Sequence, residues 1–418
     1  MRSISPRPLL FLALVFSCSN VFGQGNGTDG QTRPRTVTQL TQPPGNQATA
    51  QTATPAAAAP ANEVITTEAA NRIALQLTPS AIQSRITEAE RLLKSRPLQT
   101  AMTAPSIEFV TVAALDRANQ KTHLITLSKE TFLKKGSEIT LPSSLGTLVT
   151  LRVLRANGVN TALTITTPEG NELVPLTVEY PIERNGLFKE MAYYTSAHPA
   201  LLSKDLVNSG QAYVRNMLDL AVRRLGERGV AISPDILNVA ERLCIVEHID
   251  HERFRAENRL ALYDEIYSLY ALNQLDTYRY SVSSAGAGGM VQMIPWAYNL
   301  IRQRHPGVGL IPDFVTGMRN HTNALQAMLL YMQDTWNDLT ANEDIKYALD
   351  SKIATTPELL AAAYNSNAAK LPLYIRRGNE EWRTLIPRET QMYLQIYKSF
   401  ESLVPVKQRT TVPTVAQN

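Results

Sequence analysis

The hydrophobic period of this chain changes near residue 200, and that change limits what it can fold into. From about 105 to 183 the apolar residues fall in short β-branched runs: Phe109 to Val112, His123 to Leu127, Leu148 to Leu154 and Thr161 to Ile165. Turn pairs such as Lys135-Gly136, Asn157-Gly158 and Glu169-Gly170 separate them. Runs of this kind between glycine turns read as strands. Beyond residue 200, Val214, Met217, Leu218, Ala221 and Leu225 share one helical face. Ser233-Pro234-Asp235 then opens a further helix, with a capping serine and a proline at the first helical position. The expected fold class is α+β: a small β-rich domain over 105–199, followed by a mainly α-helical domain over 200–402. A helical segment over 63–104 precedes the sheet, with Ile82, Ile86, Ala89, Leu92 and Leu93 at helical spacing.

The flanks differ in kind. Residues 1–23 read as an export signal, in which Arg2 and Arg7 border an apolar run, Leu9 to Phe16, too short to span a bilayer. Cleavage is expected after Gly23. Cys18, in Val15-Phe16-Ser17-Cys18, offers lipid anchoring as a second option. Either way the expected location is the periplasm or cell envelope. Residues 24–62 are rich in Gln, Thr, Ala, Pro and Gly, with Val37 and Leu40 as the only large aliphatics. Such a tract buries too little surface to offset its ordering entropy, so a disordered linker is expected there. Residues 403–418 read as a flexible tail. If Cys18 leaves with the leader, Cys244 is the only cysteine and no intramolecular disulfide can form. There are 41 basic and 37 acidic residues, and two of the basic ones lie in the leader. That balance is too even to argue for nucleic acid as a partner.

The segment Ser281 to Pro295 carries the most chemical information. Glycines at 286, 288 and 289 let backbone approach a ligand closely. No Lys or Arg lies between Ser281 and Tyr298, which argues against a phosphate loop. Gln292 is the lone amide in an apolar turn and needs a hydrogen-bond partner.

This segment resembles the glycine-loop signature of the soluble lytic murein transglycosylases, relatives of goose-type lysozyme. Ser283, Gly286, Ala287, Gly289, Gln292, Met293 and Pro295 carry the match; Met290 and Val291 stand where the family has Leu and Met. Two more blocks follow in the family's order. Leu360 to Asn365 looks like its Ala-Ala-Tyr-Asn block, and Pro387 to Tyr393 looks like its Pro-x-Glu-Thr-x-x-Tyr block. The resemblance covers about 235–402. It implies a lysozyme-like fold for the helical domain, peptidoglycan strands as substrate and no cofactor. It implies one catalytic glutamate at the end of a helix upstream of the glycine loop. Ser283, Gly286, Ala287, Gln292, Met293, Tyr364 and Asn365 become the substrate-binding candidates, with Ser283 holding the loop. Glu389 and Tyr393 read as structural, and Trp296 and Trp336 as core.

A helix from Asp235 to His251 offers two acids, Glu247 and its alternate Glu252. At about 100° per residue, Glu247 lies within about 40° of Ile236, Ala240 and Leu243, on the packed face. Glu252 is turned about 140° away from it. A carboxyl among apolar neighbours stays protonated near neutrality, which is the state a general acid needs. Glu247 is therefore the preferred catalytic residue. The chain departs from the family after it, with His248-Ile249-Asp250 in place of Ser and a nearby aromatic. The gap to the glycine loop is also long, and Leu260 to Leu275 reads as an insertion over or beside the cleft. His248 and His251 do not form a His-Glu-x-x-His motif, so no metal is expected. The β-rich domain carries no motif; contact with cell-envelope proteins is the expectation for it.

Overall fold

The computed structural model describes residues 78–96, 106–283 and 285–411. All described residues belong to one compact unit. The expected signal, Cys18, the linker and residues 63–77 lie outside the described residues. The described unit is α+β, with a sheet N-terminal to a helical region. Among the described residues, no helix is long and apolar enough to cross a membrane.

Helix α1 (Pro79–Ser95) starts where Thr78 Oγ1 accepts from the Ala81 N–H, and its proline costs no internal hydrogen bond. Its buried stripe is Ile82, Ile86, Ala89 and Leu93. The stripe packs on Ala113, Leu115, Val174 and Leu176, on one side of the sheet. The strands are β1 (Phe109–Asp116), β2 (Thr122–Ser128), β3 (Glu138–Pro142), β4 (Leu148–Arg155), β5 (Ala162–Thr166), β6 (Glu172–Arg184) and β7 (Leu187–Tyr194). All pairings are antiparallel, in the order β2-β1-β6-β5-β4-β3, with β7 on the far half of β6. A register shift lies between Ala113 and Ala114, at the point where β6 carries Pro175, which has no N–H to donate. The sheet curls until its ends meet. The Ser144 N–H donates to the Leu124 carbonyl at 2.8 Å, and the Leu124 N–H donates to Ser144 Oγ at 3.0 Å. Val112, Ile125, Phe132, Val149, Leu151, Leu163 and Tyr194 fill the inside.

After the one-turn α2 (Lys129–Phe132) between β2 and β3, the helical region runs through α3 (Lys204–Gly226), α4 (Pro234–Val246), the short α5 (His251–Ala256), α6 (Arg259–Asn273), α7 (Pro295–Arg304), α8 (Phe314–Arg319) and α9 (His321–Thr340). It continues with α10 (Glu343–Asp350), α11 (Thr356–Asn365), α12 (Leu371–Gly378), α13 (Trp382–Leu385) and α14 (Arg388–Leu403). Helix α6 differs from the expected insertion beside a cleft. Tyr263, Ile266, Tyr267 and Tyr270 belong to the main helical core, Leu269 to the sheet's inner core and Leu272 to the cluster under α1. A helix apolar on nearly every side is a central one. It joins sheet and helices into one body, and α3 crosses it closely at Gly210. A Cβ at Gly210 would lie 1.9 Å from the Tyr267 carbonyl oxygen.

The segment after α14 is also unlike the expected tail. The Arg409 backbone N–H donates to Asn238 Oδ1 at 2.7 Å, and Asn238 Nδ2 donates to the Arg409 carbonyl at 3.0 Å. The Arg409 guanidinium, buried, pairs with Glu241 of α4 and at 2.9 Å with Asp219 of α3. Residues 404–411 thus strap α3 to α4, because two carboxylates in a low-dielectric setting require a cation; residues 412–418 lie outside the described residues. Trp296, expected in the core, is 51% exposed, and Trp336 is half-buried between two clusters.

The crossing at Gly210 gives a direct test. Gly210→Ala should lower unfolding stability by about 2 kcal/mol or more, because backbone rather than a flexible side chain must move. Urea denaturation against wild type measures it; an unchanged midpoint would contradict the close crossing.

Candidate active site

Helix α4 is buried along its whole length from Ile236 to Val246. Ser233 Oγ caps it by accepting from the Ile236 N–H. It ends at Val246, earlier than the expected His251. Asp250 is the cause: its carboxylate accepts from the N–H groups of Glu252 and Arg253, each at 2.9 Å, and so starts α5 afresh. A short acidic side chain that bonds nearby backbone competes with helix continuation. Glu247 is left as the C-cap of α4, its N–H donating to the Leu243 carbonyl.

The two candidate acids end in different surroundings. Glu252 is exposed on the first turn of α5. Glu247 keeps some surface open, yet burial dominates its chemistry. Burial pushes its carboxyl up to about 8, the Tyr393 hydroxyl draws it back down, and the nearby Glu389 charge raises it again. Tyr393 Oη donates to Glu247 Oε1 at 2.5 Å, which leaves Oε2 to carry the acid proton. Tyr393 and Glu389 were expected to be structural only; both act on the acid. A buried tyrosine whose hydroxyl must find a partner was the available signal for Tyr393.

The next residue, His248, ties α4 to the glycine loop. Its Nε2 lies 3.0 Å from the Met290 carbonyl, which can only accept, so Nε2 carries the hydrogen. Burial lowers this ring's pKa to about 3, and it is neutral at ordinary pH. Its face lies parallel on Tyr278, with centroids 3.4 Å apart. His321, also neutral, donates from Nε2 to the Thr277 carbonyl at 2.8 Å and accepts at Nδ1 from the Tyr213 hydroxyl.

The glycine loop is a folded unit in its own right. Val282 bridges to Gly288 and Gly288 to Met293. Gly289, with φ +70°, presses on α8: a Cβ there would lie 2.4 Å from the Met318 carbonyl oxygen. Ser283 Oγ accepts from the Ala287 N–H at 3.0 Å and pins a turn at Gly286, whose φ is +77°. Ala287 and Met293 are buried, as is Ser283. These three therefore support the loop, and their side chains do not line a cleft. Gln292 also serves the loop: its Nε2 donates to the Gly289 carbonyl at 2.8 Å and to Ser281 Oγ at 3.3 Å, so the amide N–H groups are engaged within their own loop.

The second block reaches the same place. Tyr364 Oη donates to the Val291 carbonyl at 2.7 Å. Burial, with the Glu247 charge next in weight, holds that hydroxyl well above its ordinary pKa. Asn365 Oδ1 is buried without a hydrogen-bond partner among the described residues. All three sequence blocks thus converge on the end of α4: the loop through His248, the second through Tyr364, the third through Tyr393 and Glu389. Among the described residues, no three His, Cys, Asp or Glu side chains group as metal ligands. His248 and His251 diverge, the first under Tyr278 and the second opening α5. Compared with models of known families, with curated proteins and with solved structures, the chain matches none.

An acid whose folded pKa lies above its unfolded value holds its proton in the native state after the unfolded chain has released it. Native stability therefore falls as pH rises from the ordinary glutamate value to about 8. Glu247→Gln removes this dependence. Its stability relative to wild type should grow across that window by about 2–4 kcal/mol and level off above it. Urea midpoints at several pH values read this out, and a pH-independent difference would contradict the burial of the acid.

Proposed function

We propose that the chain is an exported peptidoglycan lytic transglycosylase, with a lysozyme-like fold in its helical domain. The observation that carries the reading is a single protonated glutamate on which three ordered blocks, each resembling that family, converge. Glu247 would donate its proton to the glycosidic oxygen between N-acetylmuramic acid and N-acetylglucosamine as that bond breaks. Positive charge then develops at the anomeric carbon. The substrate's own N-acetyl oxygen would meet it, a route known among glycosidases that lack a separate nucleophile. Glu389, near enough to raise Glu247, favours the protonated acid rather than serving as that nucleophile. Glu247, now ionised, would take the proton of the C6 hydroxyl. The C6 oxygen closes on the anomeric carbon, giving a 1,6-anhydro end and consuming no water. Tyr364, Asn365 and Gln292 would orient the sugar, as the resemblance implies; of these, Asn365 has a side-chain acceptor, Oδ1, with no partner among the described residues. Residues 1–23 support export, to the periplasm or the cell envelope.

Digestion of purified peptidoglycan with mass analysis of the products tests this. Wild type should release anhydromuropeptides, Glu247→Gln should lose about a hundredfold or more, and Glu252→Gln should stay within about twofold. The rate should fall as pH rises past about 8, where the acid loses its proton. Reducing ends without anhydro sugars would mean a hydrolytic lysozyme. No product at all from wild type would favour a wall-binding or scaffold protein on the same frame.

A further inference from the structure

The β-sheet and the candidate acid meet at one aromatic ring. Tyr278 belongs to the rim of the helical core and to the rim of the sheet's inner core at once. On the sheet side, the buried Tyr194 of β7 has its hydroxyl against the Tyr278 backbone. On the helical side, the Tyr278 ring lies flat on His248 and edge-on to Tyr270 at 5.5 Å. His248 follows Glu247 in the chain and holds the Met290 carbonyl. Tyr278 itself sits at φ +57° and accepts at its carbonyl from the Ser281 N–H, where the glycine loop begins.

Polar contacts fix this boundary on both sides. Arg155 of β4 pairs with Glu265 of α6 at 3.0 Å, and Glu265 also pairs with Arg253 at 2.7 Å. Glu190 of β7 takes Arg279 at 3.3 Å and Arg319 at 2.5 Å. The Asn273 side chain bonds both the N–H and the carbonyl of Thr195. The 259–280 segment is thus the piece by which the sheet grips the helical region, and the grip ends on the ring under His248.

We propose that the sheet is a structural part of the site, and that Tyr278 is a positioning residue whose stack on His248 sets the distance between the Glu247 carboxyl and the glycine loop. A flat ring contact allows His248 little tilt. A ring that tilts releases the Met290 carbonyl, and the loop then loses its register against the acid. This goes beyond the transglycosylase reading, and only the kinetic part of its test rests on that reading.

The test uses the full chain. The imidazole N–H of His248, observed by nitrogen-15 NMR, should exchange slowly in wild type. Tyr278→Leu should speed that exchange about tenfold while core amides of α4 and α6 keep their rates. Tyr278→Phe, which keeps the ring, should restore it. On peptidoglycan, Tyr278→Leu should lower kcat about tenfold with KM within about twofold. Glu190→Ala, which loosens the same boundary from the sheet side, carries the exchange test if Tyr278→Leu does not fold. Wild-type exchange at His248 in the variant that folds overturns the proposal, as does a speeding of all core amides together. If wild type yields no anhydro product, the functional reading fails and the exchange arm alone decides this one.

Discussion

A carboxyl enclosed among apolar side chains cannot keep its charge cheaply, and the placement of Glu247 follows from that constraint. Helix α4 is buried on all sides, so whatever caps its end must be neutral or paired. Tyr393 gives Glu247 a hydroxyl rather than a cation, and Glu389 places a negative charge nearby. Both choices leave the proton in place. An arginine at either position would have turned the same carboxyl into half of an ion pair and removed its acidity at neutral pH.

The surroundings of the acid follow a consistent rule. The hydrogen-bond donors around it are neutral: Tyr393 donates to Glu247 itself, and His248 and Tyr364 donate to the Met290 and Val291 carbonyls of the glycine loop. The ionic contacts lie further out, in the Arg155–Glu265–Arg253 chain and around Glu190. Charge at the boundary locks sheet to helices, and its distance from the acid leaves the carboxyl's protonation to burial and its immediate neighbours.

The α+β order was legible because the hydrophobic period changes near residues 105 and 200 and because Ser233 and Pro234 mark a helix start plainly. The burial of the Glu247 carboxyl was legible through helical geometry, although that geometry assumed a helix running to His251. Asp250 ends the continuity, and its capping role could have been read from its position before an acidic first turn. Other features were hidden for physical reasons. Leu260 to Leu275 shows only an apolar stretch; that its faces serve three different clusters is a tertiary fact. Gln292 needed a partner, but sequence does not say whether ligand or loop provides it. Trp296 looked like core because tryptophan usually is, and nothing local marks a helix start that faces solvent. The pairing of Arg409 with Glu241 spans 168 residues, beyond the reach of any periodicity.

That last pairing has a consequence for how the molecule comes together. Helix α4 is built from neighbours in sequence, but its buried Glu241 and Asn238 find Arg409 only after most of the chain has been traversed. Contacts of such separation raise the contact order and close late. The polar groups of the helix that carries Glu247 are thus completed by a segment at the far end of the chain rather than by its sequence neighbours.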